Sequence, residues 1–289
     1  MKYACMVQHR SIAPLRLWCR VLKVSRSGFY AAMKRQPGVQ CGRRLEWSRA
    51  IVQEFSATRR TYGSRRMTIQ LRRTGMAICR NTTARLMREL GLSGRKKRRF
   101  VPRTTDSRHD RPVAPNRLNR AFQTNRVNRK WAADITFIPT RVGWLYLAAV
   151  IDLCSRRIVG WNMADHMQSE LVRDALKMAI DLRKPSAGLL HHSDRGSQYA
   201  SRGLQAMLRQ NHLLSSMSRP GNCYDNAVME SFFATLKTEL VNSADYATHE
   251  EAKRSIFEYI EVFYNRQRLH SSLGYKSPQS FEKSLECPK

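Results

Sequence analysis

Residues 131–161 read WAADITFIPTRVGWLYLAAVIDLCSRRIVGW. Three β-prone apolar runs, Trp131–Ile138, Trp144–Ile151 and Arg157–Trp161, are separated by turn-sized stretches at 141–143 and 152–156. Consecutive runs this close together predict an antiparallel meander. Working outward, Leu171, Val172, Ala175, Leu176, Ala179 and Ile180 recur at helical spacing over Ser169–Lys184, with Pro185 as a stop. Leu189 and Leu190 then lead a short buried strand into His191-His192-Ser193-Asp194. A helix over Arg202–Gln210 and a fifth strand over Leu213–Met217 follow. The turn-rich Arg219–Asn222 precedes a last helix, with Asn226 placed to cap it and Met229, Phe232, Phe233 and Leu236 as its apolar residues.

The order βββαβαβα is that of a ribonuclease-H-like α/β fold, a mixed sheet flanked by helices. In it the first and fourth strands are neighbours where the strand order switches, the usual crevice for ligands. Asp134 lies on the first of these strands and Asp194 ends the fourth. Glu230 reaches the same crevice from its helix, on one stripe with Asn226 and Lys237. Three hard-oxygen carboxylates suit a pair of Mg2+ or Mn2+ ions about 3.5–4 Å apart, which stabilise a phosphodiester attacked in line. Asp152 and Asp225 are rival carboxylates at turns. His191 and His192 form an adjacent pair without a third His or Cys, a pattern more often structural than metal-binding.

Charge separates the two parts of the chain. Residues 1–130 carry 33 Lys and Arg against 5 Asp and Glu, while residues 131–289 carry 19 against 17. The first part is therefore expected to bind a polyanion. A membrane is the competing polyanion, but the apolar run Trp144–Ile151 is eight residues, far below the roughly 20 needed to span a bilayer. The N-terminus has no apolar signal segment. Seven cysteines lie apart without a C-x-x-C pair, as reduced thiols of a cytoplasmic protein do.

Within the basic part, Leu15, Trp18, Cys19 and Leu22, then Ser25 before Phe29 and Met33, outline a first helix-turn-helix. A second runs from Tyr62-Gly63-Ser64 through Leu71, breaks at Thr74-Gly75, and resumes with Asn81 as cap before Leu86 and Leu90. Its exposed positions include Arg66 and Arg85, placed to meet phosphates or base edges. Arg95-Lys96-Lys97-Arg98-Arg99 opens a basic linker running to Arg129. The expected organisation is a basic helical DNA-binding region over 1–94, this linker over 95–129, the α/β core over 130–245, and a C-terminal helix and tail over 246–289.

Five segments carry a resemblance: DITFIPT (134–140), VIDLCSRRIVGW (150–161), HSDRGSQY (192–199), DNAVMESFFATLKTE (225–239) and YNRQRLHSSLGYKSP (264–278). They resemble the catalytic core of bacterial insertion-sequence transposases, relatives of retroviral integrases with a D, D-35-E signature. Here 35 residues separate Asp194 from Glu230. RTYGSRRMTIQLRRTG (60–75) and VSRSGFYAAMKR (24–35) resemble what precedes this core in the second-frame subunit of the family whose enzyme is made by frameshift fusion. The resemblance implies that Asp134, Asp194 and Glu230 are the metal-binding catalytic triad and that Lys237 meets DNA beside them. It implies as partners the element ends and target DNA, copies of the same chain assembled on DNA, and an upstream-frame subunit or fusion form. The expected place of action is the nucleoid. The expected function is DNA transposition by metal-dependent end cleavage and 3′-hydroxyl strand transfer. A structure-selective nuclease or resolvase of the same fold, or a DNA-binding regulator with vestigial acids, is the alternative.

Overall fold

The computed structural model describes residues 2–34, 38–95, 111–220 and 222–286. Helices α1 (Lys2–Gln8), α2 (Leu15–Val21) and α3 (Arg26–Lys34) bury Met6, Cys19 and Phe29 in a small cluster of their own. The Ser25 hydroxyl accepts the Gly28 N–H at 3.0 Å, the capping role expected of it. Helix α4 (Gly38–Ala57) has no counterpart in the sequence reading. Its apolar residues are spread round the helix, Ile51 and Phe55 buried and Leu45 and Val52 exposed, so no clear stripe announces it.

Helices α5 (Ser64–Arg73) and α6 (Arg80–Glu89) form the second helical pair, joined through Gly75 at φ +86. Thr74-Gly75 ends α5 because glycine takes this left-handed conformation without a steric penalty. The cap of α6 is Cys79 rather than Asn81: its Sγ accepts the Thr82 N–H at 3.5 Å.

Strands β1 (Lys130–Thr140), β2 (Gly143–Asp152) and β3 (Ile158–Ala164) form the antiparallel meander. β3 starts one residue later than the sequence run and continues three residues beyond Trp161. After α7 (Ser169–Arg183), β4 (Leu190–Ser193) pairs in parallel with β1, and after α8 (Arg202–Gln210), β5 (Leu214–Met217) pairs in parallel with β4. The sheet order is β3-β2-β1-β4-β5, the ribonuclease-H-like mixed sheet.

Alternation along the strands divides the core between the two faces. Trp131, Ala133, Val150 and Val159 pack with α7 and α8. Ala132, Leu147 and Ile151 pack on the other face with α9 (Ala227–Glu239). Beyond α9, α10 (His249–Phe257) runs on as a π-helical segment, Glu258–Tyr264, and α11 (Pro278–Glu286) closes the described chain. Ile51, Met67 and Leu86 of the basic helices lie in the same apolar cluster as Phe232 and Tyr264. Residues 111–129 lie against the core: Leu118 is buried, and the Arg117 and Leu118 N–H groups donate to the Ser216 hydroxyl. Among the described residues no helix is long and apolar enough to cross a membrane.

Candidate active site

The register of the two central strands brings two of the three acids to one level. β1 and β4 run parallel, and their last matched pair is Ala132 with His192. Asp134 and Asp194 each lie two residues further along, where β4 has ended and the sheet opens. Helix α9 approaches on the Ala132 face, anchored by Met229, Phe232, Phe233 and Leu236. Asn226 sits at its N-cap position but does not cap: its Nδ2 donates to the Ala133 carbonyl at 3.1 Å. The amide expected to sit on a polar stripe instead ties the start of α9 to the residue before Asp134. Glu230 follows in the first helical turn.

The charges of the other two acids are felt at Asp134. Burial pushes the Asp134 carboxyl well above its ordinary value, and the charges of Asp194 and then Glu230 push it further. The Ile135 N–H, 2.8 Å from Asp134 Oδ1, and the Lys237 ammonium pull the other way. Burial also raises Glu230. Tyr199, a buried hydroxyl without a hydrogen-bond partner among the described residues, is raised by burial and by the same two aspartates. Lys237 lies 4.4 Å from the centroid of the Phe137 ring. Burial depresses its ammonium, and the Asp134 charge opposes that shift.

The donor set is right for a hard divalent cation: carboxylate oxygens, with no thiolate or imidazole among them. In the present arrangement, no three His, Cys, Asp or Glu among the described residues are gathered closely enough to hold an ion. Asp194 Oδ1 accepts the Gly196 N–H at 3.0 Å, so this acid also caps its turn. Three like charges repel one another unless a cation lies between them.

The two rival carboxylates are committed to structure. Asp152 accepts the N–H groups of Asn128, Cys154 and Ser155, which sets the β2–β3 turn. Asp225, fully buried, is clasped by Arg219, Arg120 and Asn116 and held well below the usual carboxylate range, first by the Arg219 hydrogen bond. His192 lies between the Ser216 and Ser218 hydroxyls, and burial pulls both His191 and His192 down to about 4.

The DNA-contact candidates fare differently. Arg85 is exposed on α6. Arg66 is not the exposed side chain expected: it is half-buried, 3.4 Å from Glu239 and over the Tyr62 ring. Arg95 donates to the Glu239 carbonyl and the Ser243 hydroxyl. Lys96, Lys97, Arg98 and Arg99 lie outside the described residues. Sequence reasoning missed the buried pair Glu239–Arg268, bonded at 2.7 Å through both carboxylate oxygens. The positions of these residues in 225–239 and 264–278 were the available signal, but a 29-residue separation has no periodicity to read.

Comparison with known proteins settles the family. The integrase core domain family matches residues 124–223 and 212–278, and an HTH-like domain matches 43–100. The IS600 uncharacterized 31 kDa protein of Shigella sonnei is 45% identical over 265 residues, 91% of this chain and 96% of that protein. Transposase InsF for insertion sequence IS3A of Escherichia coli (strain K12) is 39% identical over 284 residues, 98% of each chain. The chain belongs to the insertion-sequence transposase family. A simian T-cell lymphotropic virus intasome is a structural neighbour at TM-score 0.48 and 16% identity, covering 83% of this chain and 76% of its own. In this transposase-family chain Asp134 and Asp194 fall in the first integrase-core match, Glu230 in the second, and α5 and α6 in the HTH-like match.

Proposed function

We propose that this chain is a DNA transposase that uses Asp134, Asp194 and Glu230 to hold two divalent ions, Mg2+ or Mn2+. It cleaves at the ends of a mobile element and joins the freed 3′-hydroxyl to target DNA. The observation that carries this reading is the placement of Asp134 and Asp194 two residues beyond the last matched pair of neighbouring parallel strands, with the start of α9, the helix of Glu230, tied to the residue before Asp134. Strongly perturbed acids in a cleft mark functional sites more often than structural ones. When bound, the ions neutralise charge on the phosphate and lower the pKa of the attacking oxygen.

The chain's own residues do the positioning. Asn226 ties α9 to β1 and so sets Glu230 relative to Asp134. Lys237, supported on Phe137, offers its ammonium to the DNA backbone on the same helix. Arg85 and its basic neighbours neutralise phosphates farther out, so affinity should fall steeply with salt. Assembly of several copies on DNA, in the nucleoid and with an upstream-frame subunit or fusion form, completes the proposal.

Glu230→Gln tests it. Cleavage and joining should fall by more than the roughly 10–100-fold cost of losing an outer-shell metal partner, with duplex binding unchanged. Unaltered activity would leave a DNA-binding regulator. Wild-type cleavage without joining of a pre-cut end would leave a nuclease.

A further inference from the structure

A cavity of about 510 Å3 opens where the basic helices, α9 and the C-terminal segment meet. Its walls include Arg66, Arg95, Arg156 and Arg268, and its carboxylate is Glu239. That carboxylate is already engaged, by Arg268 at 2.7 Å on both oxygens and by the Tyr259 hydroxyl at 2.8 Å. The cavity therefore keeps excess positive charge. His270, also in its wall, responds to it: burial first, then Arg268, Arg66 and Arg156, hold its imidazole down to about 2.

Arg156 is the residue the fold does not explain. It occupies the β2–β3 turn at φ +59, a left-handed conformation that costs a non-glycine residue on the order of 1 kcal/mol. The Asp152 carbonyl holds the turn through the Arg156 N–H at 2.8 Å. Glycine or asparagine would suit such a position better. Yet among the described residues the half-buried Arg156 guanidinium makes no hydrogen bond or ion pair, and Tyr264, Asp152 and Cys154 act on its charge only from longer range. The exposed hydroxyls of Ser231 and Ser271, in the same wall, have no hydrogen-bond partner among the described residues and are open to a ligand from solvent. An unpaired guanidinium and free hydroxyls lining one cavity are a donor set for a phosphate.

Ser231, Thr235 and Thr238 face this cavity from α9, about a third of a turn around the helix from Glu230 and Lys237. We infer that the cavity is a second DNA-backbone site, in which Arg156 and the Ser231 and Ser271 hydroxyls grip a phosphodiester on the face of α9 next to the one that carries Glu230. The inference rests on the DNA-transposing reading, but it is tested by binding alone.

The test uses the full chain, a mixed-sequence duplex oligonucleotide and a salt titration. Arg156→Asn keeps the left-handed turn and removes the charge. Its binding should weaken by roughly tenfold, and the slope of log affinity against log salt should become shallower by about 0.9. Lys253→Gln, at a partly exposed residue paired with Glu250, is the control and should change neither. If Arg156→Asn does not fold, Ser231→Glu places a carboxylate in the same wall and should produce the same loss. An unchanged slope in a folded variant overturns the site. So does a melting-temperature rise with pyrophosphate that Arg156→Asn abolishes while its DNA slope stays wild-type, which would make this a small-anion pocket. Failure of the catalytic reading shows separately, as strand transfer that survives Glu230→Gln.

Discussion

At Asp134, burial and two neighbouring carboxylates act in the same direction, and the Ile135 N–H and Lys237 only partly offset them. A carboxyl held above its ordinary value costs stability wherever it is ionised, and the cost is relieved as pH falls through the raised value. Asp134→Asn should therefore raise the melting temperature at neutral pH, by a few degrees if the relief is about 1 kcal/mol. The gain should vanish below about pH 3, where aspartate is mostly protonated even in an unfolded chain. Mg2+ should raise the melting temperature of the wild type and not of this variant, because only the wild type presents the complete acid set. A thermal melt at two pH values, with and without Mg2+, checks all three outcomes. These acids stood out as candidates by spacing and motif. Their mutual field was not, because it depends on how close β1, β4 and α9 come.

Elements were read from local periodicity, and the reading succeeded wherever one face alone is buried. The meander and α7–α9 follow from period 2 and period 3.6. α4 was missed because its buried and exposed apolar residues are mixed round its circumference. The extension of β3 has a tertiary cause as well: it pairs with β2 out to Ala164 opposite Tyr146. The free edge of β3 is partly covered by Asn265, whose side chain accepts from the Ile158 N–H and donates to the Ile158 carbonyl. On the same strand, Gly160 lies hard against α7: a Cβ there would stand 2.2 Å from the Ala175 carbonyl oxygen and 2.7 Å from the Ala179 N. Backbone atoms cannot yield as a side-chain tip can. Gly160→Ala should destabilise by about 1–3 kcal/mol through forced separation of β3 and α7, visible as a lower denaturation midpoint with an unchanged slope.

Across the whole molecule, the basic helices and the α/β core are joined by polar contacts as well as apolar ones. The buried Tyr62 hydroxyl, ahead of α5, accepts the Leu269 N–H at 2.8 Å. Burial raises that hydroxyl, with the hydrogen bond and two arginines opposing the shift. Tyr62→Phe leaves a buried amide unpaired and should cost about 1–3 kcal/mol. Hydrogen exchange at Leu269 should accelerate in the variant. Unchanged protection would mean that the helices and the core hold together without this bond. The same docking turns Arg66 from an expected surface contact into a wall of the cavity it shares with Arg156 and Arg268.

The order of strands and helices in the α/β core and the division of charge along the chain were settled by the sequence, which also put forward the three acids as candidates. Each depends on residue type and on spacing within a few turns or one motif, which the polymer itself records. The level shared by Asp134 and Asp194 at the ends of β1 and β4, the tie from Asn226 to β1, the burial of Arg66 and the arginine-lined cavity were decided only by the tertiary structure. They join residues tens to hundreds of positions apart, and their distances follow from sheet register and helix docking, which no local pattern encodes.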